Sequence, residues 1–276
     1  MKKACVIGWP IAHSRSPLIH GYWLKTLGIE GSYEKVPVEP RDVESFLRNL
    51  ETNGYAGCNV TIPHKETAYA MMDRVDDIAR KLGAVNTVYV RGGKLHGTST
   101  DGEGFLASLQ SKFPALSLRD AKVVILGAGG SARSIIPSLQ SAGAGQTVII
   151  NRSLDRAEKL RGDMGPGVEA RAWNSLAHEL RGAQLLINTT SLGMHGQPDL
   201  DIDLTPLPKT AVVSDIVYVP LETAFLRTAR EAGYSTVGGL GMLLHQAVRG
   251  FELWFGVRPT VTPELEQLVI QDVMKS

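Results

Sequence analysis

The sequence predicts an α/β protein of two domains with largely parallel sheets. Short β-branched and apolar runs alternate along the chain with helical patterns. Turn residues are dense, with 29 glycines and 14 prolines in 276 residues, more than a helical bundle tolerates. A second series of strand and helix patterns starts at Lys122, behind a stretch with Pro114 and little periodicity, so a domain crossover is expected within residues 102–120.

Taken in order, residues 3–7 form a strand and residues 8–15 a loop. A helix follows with Ser16 as N-cap and Pro17 at its first position, closing near Gly28. Strands near 32–38 and 55–60 flank a helix whose Val43, Phe46, Leu47 and Leu50 recur at helical spacing and face a core. Short strands at 87–90 and 94–96 precede the crossover. Beyond it, residues 122–126 are a continuous apolar strand, followed by strands at 147–150, 185–188 and 211–216. Residues 242–255 carry a strongly apolar helical pattern, and Thr262 ahead of Pro263 starts the last helix.

Charge excludes some function classes. Lysine and arginine total 29 against 28 acidic residues, a net charge of +1, so nothing draws the chain onto nucleic acid or an acidic membrane surface. No apolar run is long enough to span a membrane, and residues 4–12 are too short and too interrupted by Gly8 and Pro10 for a signal peptide. A cytoplasmic protein is expected. Cys5 and Cys58 cannot build a disulfide framework or a zinc site and read as small buried residues. The seven histidines lack metal-ligand spacing, and His13, His20, His64 and His245 fall where packing or capping suffices, so no metal is expected.

Gly127, Gly129 and Ala132 give G-x-G-x-x-A between an expected strand and an expected helix, the context of a dinucleotide site. The first glycine permits a tight turn, the second lets a pyrophosphate approach the backbone, and the helix N-terminus supplies free N–H groups. At the end of the next strand, where NAD-binding domains carry an acid for the ribose hydroxyls, stand Asn151, Arg152 and Ser153, with Arg156 one turn on. A carboxylate there would repel a 2′-phosphate, whereas guanidinium forks would receive it, which favours NADP over NAD.

In the first domain, Asn59-Val60-Thr61-Ile62-Pro63-His64-Lys65 leaves a strand and enters a helix, so its polar groups belong at the sheet's carboxyl edge. Ser14 and Ser16 leave the first strand at the same edge, and hydroxyls beside a helix N-terminus suit a carboxylate. Lys65 alone reads better as a solvated helix lysine, and Asp101 can be read as a helix cap. Together they offer the proton donor that a two-electron carbonyl reduction needs beside a hydride donor.

These residues resemble the shikimate dehydrogenase family, collinearly over nearly the whole chain. The motifs are His13-Ser14-Arg15-Ser16-Pro17, Asn59 to Lys65, Gly83-Ala84-Val85-Asn86-Thr87, Thr100-Asp101-Gly102, Gly127-Ala128-Gly129-Gly130, Asn151-Arg152-Ser153, Asn188 to Met194, Asp215-Ile216-Val217-Tyr218 and Gly239 to Leu243. The resemblance implies a substrate domain of residues 1–103 and 241–276, completed by C-terminal helices, around a central Rossmann-like NADP domain of residues 104–240, with the active site in the cleft between them. It implies that Ser14 and Ser16 bind the substrate carboxylate, that Thr61, Asn86, Tyr218 and Gln246 hold the ring, and that Lys65 and Asp101 form the catalytic pair. Cofactor contacts carry over to Gly127, Ala128, Gly129, Gly130, Ser131, Asn151, Arg152, Ser153 and Arg156, with Ile216 and Gly239 flanking the nicotinamide. The implied reaction is NADPH-dependent reduction of 3-dehydroshikimate to shikimate, in chorismate and aromatic amino acid biosynthesis, by a monomer or homodimer. Alternatives are a quinate/shikimate dehydrogenase of broader substrate and cofactor use, and a non-catalytic ligand-responsive regulator on the same scaffold. Three positions depart from the family pattern: Gly21 and Ser99, where asparagine is usual, and Ile216, often methionine.

Overall fold

The computed structural model describes residues 1–275. The chain divides into two compact units, one of residues 1–101 with 244–272, the other of residues 102–243 with 273–275. Among the described residues no helix is long and apolar enough to cross a membrane.

The first unit contains β1 (Lys2–Gly8), α1 (Ser16–Thr26), β2 (Gly31–Pro37), α2 (Val43–Arg48), β3 (Tyr55–Val60), α3 (Lys65–Ala70), β4 (Arg74–Val75), α4 (Asp77–Leu82), β5 (Thr87–Arg91) and β6 (Lys94–Thr98). Its six-stranded sheet runs in the order β2-β1-β3-β5-β6-β4. β1 pairs in parallel with both β2 and β3, so the chain moves outward in opposite directions on either side of β1. Loops leaving the carboxyl ends of β1 and β3 therefore diverge and leave a crevice at that edge.

This sheet is largely parallel, as expected, with one strand reversed. β5 runs antiparallel to β3 and to β6. The cause lies in Gly92 and Gly93, with φ of 60° and 69°, which close a two-residue hairpin that only residues free to adopt positive φ accommodate. The consequence reaches function. Because β5 starts and β6 ends at the carboxyl edge of β3, Asn86 ahead of β5 and Asp101 beyond β6 both arrive at the crevice.

A correction concerns the start of α1. Arg15 is the N-cap, with φ −94° and ψ −1°, and Ser16 is already helical. The Ser14 hydroxyl accepts the Ser16 N–H at 3.3 Å, so Ser14 does part of the work expected of Ser16.

The second unit contains α5 (Asp101–Lys112) from its second residue on, β7 (Lys122–Leu126), α6 (Gly130–Ser141), β8 (Gln146–Asn151), α7 (Leu154–Met164), β9 (Val168–Ala172), α8 (Leu176–Glu179), β10 (Leu185–Asn188), β11 (Val212–Asp215), α9 (Ala224–Glu231) and β12 (Ser235–Val237). Its sheet is parallel throughout, in the order β12-β11-β10-β7-β8-β9. Numbered within this unit that is 3-2-1-4-5-6 read from the β9 edge, the Rossmann order, with its switch point between β7 and β10. Val123, Val124, Ile125 and Leu126 are fully buried, as a strand covered on both faces requires.

The last helices are α10 (Leu240–Phe255) and α11 (Pro263–Val273). Trp254 of α10 is seated on β3 and donates its Nε1–H to the Val88 carbonyl at 2.9 Å. A Cβ at Gly57 would stand 2.2 Å from that nitrogen, so glycine there is what admits the indole. Truncating a tryptophan so buried costs about 3–5 kcal/mol. The Trp23 indole donates to the Thr260 carbonyl at 2.9 Å, fastening the segment before α11 to α1.

Candidate active site

In the first unit the crevice is built by two loops. The β1 loop brings Ser14 and Ser16, the first half-buried and the second buried. The β3 loop brings Thr61, whose N–H donates to the Ile7 carbonyl at 3.0 Å. A Cβ at Gly8 would meet Thr61 Cγ2 at 2.5 Å, so glycine at the end of β1 is what lets the two loops close on each other. His64, buried behind them, donates from Nε2 to the Val38 carbonyl at 2.7 Å, and its own carbonyl caps the first turn of α3. Lys65 is thereby fixed as the first residue of that helix.

Lys65 Nζ lies 2.7 Å from Asp101 Oδ2. The ammonium is 33% and the carboxylate 18% exposed, enough for water to reach the pair yet too little for it to be an ordinary surface bridge. Asp101 Oδ1 accepts from Asn86 Nδ2 at 2.7 Å. Behind Asn86 stand the buried Thr87, Thr100 and Asn59. All three stand in the motifs read from sequence, but only the structure shows them bonded around the Asn86 side chain. Gln246 lies on the α10 portion of this unit and is half-buried.

His20 is fully buried, stacked 4.1 Å from the Tyr33 ring and flanked by Trp23, Phe251 and Trp254. Its ring nitrogens have no hydrogen-bond partner, and burial lowers its pKa to about 3. It is a packing residue, in line with its sequence context. Cys5 and Cys58 are buried thiols facing each other in register on β1 and β3.

In the second unit the glycine motif sits at the switch point. Gly127, at φ +106°, turns the chain out of β7, and a Cβ there would meet Thr189 Oγ1 and Thr190 Cγ2 at 2.9 Å. Gly129 and Gly130 differ from it: a Cβ on either would meet nothing within 4 Å. That open space lies over the N-terminus of α6, a 12-residue helix whose first N–H groups have no intrahelical acceptor. Ala128 and Ser131 line the same turn and Ala132 packs inward, fully buried. A pyrophosphate fits this cradle.

Asn151, Arg152, Ser153 and Arg156 line a pocket of about 430 Å³ at the end of β8. Asn151 Nδ2 donates to the Ser153 carbonyl at 2.8 Å and fixes the turn. Both guanidiniums are exposed, with no ion pair to either among the described residues. Of the acids nearby in sequence, Asp155 is exposed on the first turn of α7 and Glu158 pairs with Arg161. This donor set fits a ribose 2′-phosphate rather than free ribose hydroxyls.

Ile216 and Gly239 are brought together. A Cβ at Gly239 would fall 2.0 Å from the Ile216 carbonyl oxygen, and the Gly239 N–H donates to the Val217 carbonyl. The loop between them is organised by Asp215, fully buried, which accepts from Asn188 Nδ2 at 3.0 Å, Val217 N at 3.0 Å and Thr223 Oγ1 at 2.8 Å. Desolvation pushes the Asp215 pKa up against those three donors. Tyr218 follows on this loop, half-buried. Of the departing positions, Gly21 has open space where a side chain would go, and Ser99 lies half-buried between β6 and Asp101.

Comparison with known proteins agrees over the whole chain. A family model described as shikimate dehydrogenase substrate binding domain matches residues 6–88, one described as shikimate / quinate 5-dehydrogenase matches 107–195, and one described as shikimate 5'-dehydrogenase C-terminal domain matches 239–263. The shikimate dehydrogenase (NADP(+)) of Brucella abortus (strain S19) is 52% identical over 278 residues, covering 100% of this chain and 96% of that one. The protein of the same name from Rhodopseudomonas palustris (strain HaA2) is 55% identical over 270 residues, covering 98% and 96%. Among solved structures, shikimate 5-dehydrogenase from Thermus thermophilus in complex with NADP(H) and shikimate superposes with a TM-score of 0.86 at 34% identity, covering 99% of this chain and 100% of that one.

Proposed function

The chain belongs to the shikimate dehydrogenase family, and we infer from that premise that it catalyses the reversible NADPH-dependent reduction of 3-dehydroshikimate to shikimate. The observation that carries this reading is the Lys65–Asp101 pair at the same sheet edge as the Ser14 and Ser16 hydroxyls. The serines anchor the ring carboxylate, and the oxygens on the far side of the ring are left to the pair. Thr61, Gln246 and Tyr218 are assigned to the ring and its hydroxyls, and Asn86 to the hydroxyl beside Asp101, which its Nδ2 reaches by exchanging the bond to Thr100 Oγ1.

NADPH, when bound, supplies the hydride that the carbonyl carbon accepts. As the carbonyl π electrons move onto oxygen, Lys65 Nζ donates the proton that oxygen requires and stabilises its developing charge. The resulting amine regains a proton from water, to which the lysine side chain is 33% exposed. Asp101 holds the ammonium with one oxygen, is held by Asn86 at the other, and orients the reacting substrate hydroxyl in the reverse direction, when Lys65 takes the proton.

Gly127, Ala128, Gly129, Gly130 and Ser131 are assigned to the cofactor pyrophosphate. Asn151, Arg152, Ser153 and Arg156 are assigned to the 2′-phosphorylated ribose, and Ile216 with Gly239 to the nicotinamide. The unpaired thiols of Cys5 and Cys58 support a reducing, cytoplasmic location.

The test is absorbance at the reduced-nicotinamide band with purified protein given shikimate or quinate, each with NADP⁺ or NAD⁺. Signal with shikimate and NADP⁺ alone is expected. Comparable signal with quinate or NAD⁺ would reassign the specificity, and none with any pair would overturn the reading.

A further inference from the structure

Asn86 has two amide hydrogens and two carbonyl lone pairs, and the protein itself occupies all of them. Its Oδ1 accepts from Thr87 Oγ1 at 2.9 Å and from the Thr100 N–H at 3.0 Å. Its Nδ2 donates to Asp101 Oδ1 at 2.7 Å and to Thr100 Oγ1 at 3.1 Å. Which end of the amide faces Asp101 decides what happens there. With Nδ2 inward, a donor meets the carboxylate; with the amide turned over, its oxygen would face a carboxylate oxygen and push Asp101 away from Lys65.

We propose that Thr87 is a positioning residue for the acid–base pair, its hydroxyl fixing, together with the Thr100 N–H, the orientation of the Asn86 amide and through it the place of Asp101. Thr87 is fully buried at the first position of β5, so its hydroxyl meets no water and its bonds are made to protein. That hydroxyl donates to Asn86 Oδ1 and accepts from Asn59 Nδ2 at 3.2 Å. Asn59 is held in turn, its Oδ1 accepting from the Tyr33 hydroxyl at 2.6 Å and its Nδ2 donating also to the Asn86 carbonyl at 3.2 Å. A hydroxyl can rotate to donate either way, but the Asn59 amide hydrogen arriving on one side obliges Thr87 to donate on the other. The chain Tyr33, Asn59, Thr87, Asn86, Asp101, Lys65 thus has one consistent direction of donation up to the carboxylate, which Lys65 meets from the other side. The buried, dry position makes each link stronger than it would be in water.

This rests on the reading of Lys65 and Asp101 as the acid–base pair, and the experiment separates the two. Thr87→Val keeps the shape and removes the hydroxyl; Thr87→Ser keeps the hydroxyl. For Thr87→Val, kcat for shikimate oxidation is expected to fall roughly tenfold, less than the ~10²-fold of a full 1 Å misplacement because the Thr100 N–H still holds the amide. KM for NADP⁺ should stay within about twofold, since the cofactor cradle is not touched, and KM for shikimate should rise by less than kcat falls, since the serine anchor is intact although Asn86 is assigned to the ring. The pH profile of kcat should also move its limb, and Thr87→Ser should recover most of both effects. Should the valine variant not fold by circular dichroism, the serine and alanine variants, which differ only in the hydroxyl, carry the same comparison. Wild-type kcat and pH profile in the variant without the hydroxyl, or a serine variant no better than it, would overturn the proposal. Lys65→Met is run alongside: if it too turns over normally, the acid–base assignment has failed, whereas an inactive Lys65→Met beside an unaffected Thr87→Val removes only the role of Thr87.

Discussion

The Lys65 ammonium and the Asp101 carboxylate meet at 2.7 Å although 36 residues separate them in sequence. The β5–β6 hairpin returns the chain to the sheet edge where Lys65 begins α3, and that return makes the contact possible. Lys65→Met, which keeps the stem and deletes the charge, is expected to lower kcat by about 10²–10⁴, the usual worth of a placed general acid. Shikimate affinity measured by calorimetry should survive within a few-fold, because the carboxylate anchor lies on Ser14 and Ser16. Near-normal turnover would remove Lys65 from the chemistry.

Gly127 and Gly129 should respond oppositely to the same substitution. Gly127 has φ +106° and neighbours at 2.9 Å, so Gly127→Ala strains the backbone and is expected to cost about 1–3 kcal/mol, read as a lower Tm. Gly129 has φ −98° and open space around a would-be Cβ, so Gly129→Ala should leave Tm unchanged. If the space belongs to a pyrophosphate, KM for NADP⁺ in Gly129→Ala rises by about tenfold or more. An unchanged KM would mean that the phosphates pass elsewhere.

Much of this organisation was legible in the chain. The strands Tyr55–Val60, Lys122–Leu126 and Leu185–Asn188 were predicted with the bounds they have, because continuous apolar runs bounded by glycine or polar residues leave few alternatives. Arg74–Val75, Val168–Ala172 and Ser235–Val237 were missed: two are very short, and the third mixes Glu169 and Arg171 with buried positions on a sheet edge. Gly92-Gly93 between two strands was a readable hairpin signal, and with it the antiparallel part of the first sheet. Thr87 and Thr100 stand in recognisable motifs, but their role was not legible, since it lies in bonds to Asn86 that exist only once β5 and β6 are paired. The Arg15 cap was missed because Ser-Pro imitates an N-cap followed by a first helical position, while the backbone turns helical one residue earlier.

Arg152 and Arg156 should discriminate between cofactors. Both line the pocket at the end of β8 and are exposed there. Charge-assisted bonds to a 2′-phosphate are worth about 1.5–3 kcal/mol. Alanine at either position is therefore expected to raise KM for NADP⁺ by about tenfold to a hundredfold while leaving KM for NAD⁺ nearly unchanged, so the two values converge. A parallel loss with both cofactors would place these arginines on the shared part of the dinucleotide.

His20 predicts how the first unit responds to acid. Its pKa falls from 6.5 to about 3 on burial, so between those values the unfolded chain binds a proton that the folded one excludes. Where the unfolded state binds more protons, stability rises with pH; the contribution of His20 is therefore complete above about 6.5 and is lost as pH falls toward 3. The full excursion corresponds to about 5 kcal/mol, at about 1.4 kcal/mol for each tenfold change in proton affinity. Carboxylates titrate in the same window, so the quantity to follow is the difference in unfolding free energy between wild type and His20→Phe. The phenyl ring retains the stack against Tyr33 and brings no nitrogen to protonate, and any packing offset it introduces is independent of pH. Trp9, Trp23 and Trp254 belong to the first unit and only Trp173 to the second, so tryptophan fluorescence in urea reports chiefly on the unit concerned. Wild type should lose stability relative to His20→Phe steadily from pH 6.5 down to the acid limit of folding. A difference that stays flat over that range would mean that His20 keeps its proton inside the aromatic cluster, against what two unpartnered ring nitrogens imply.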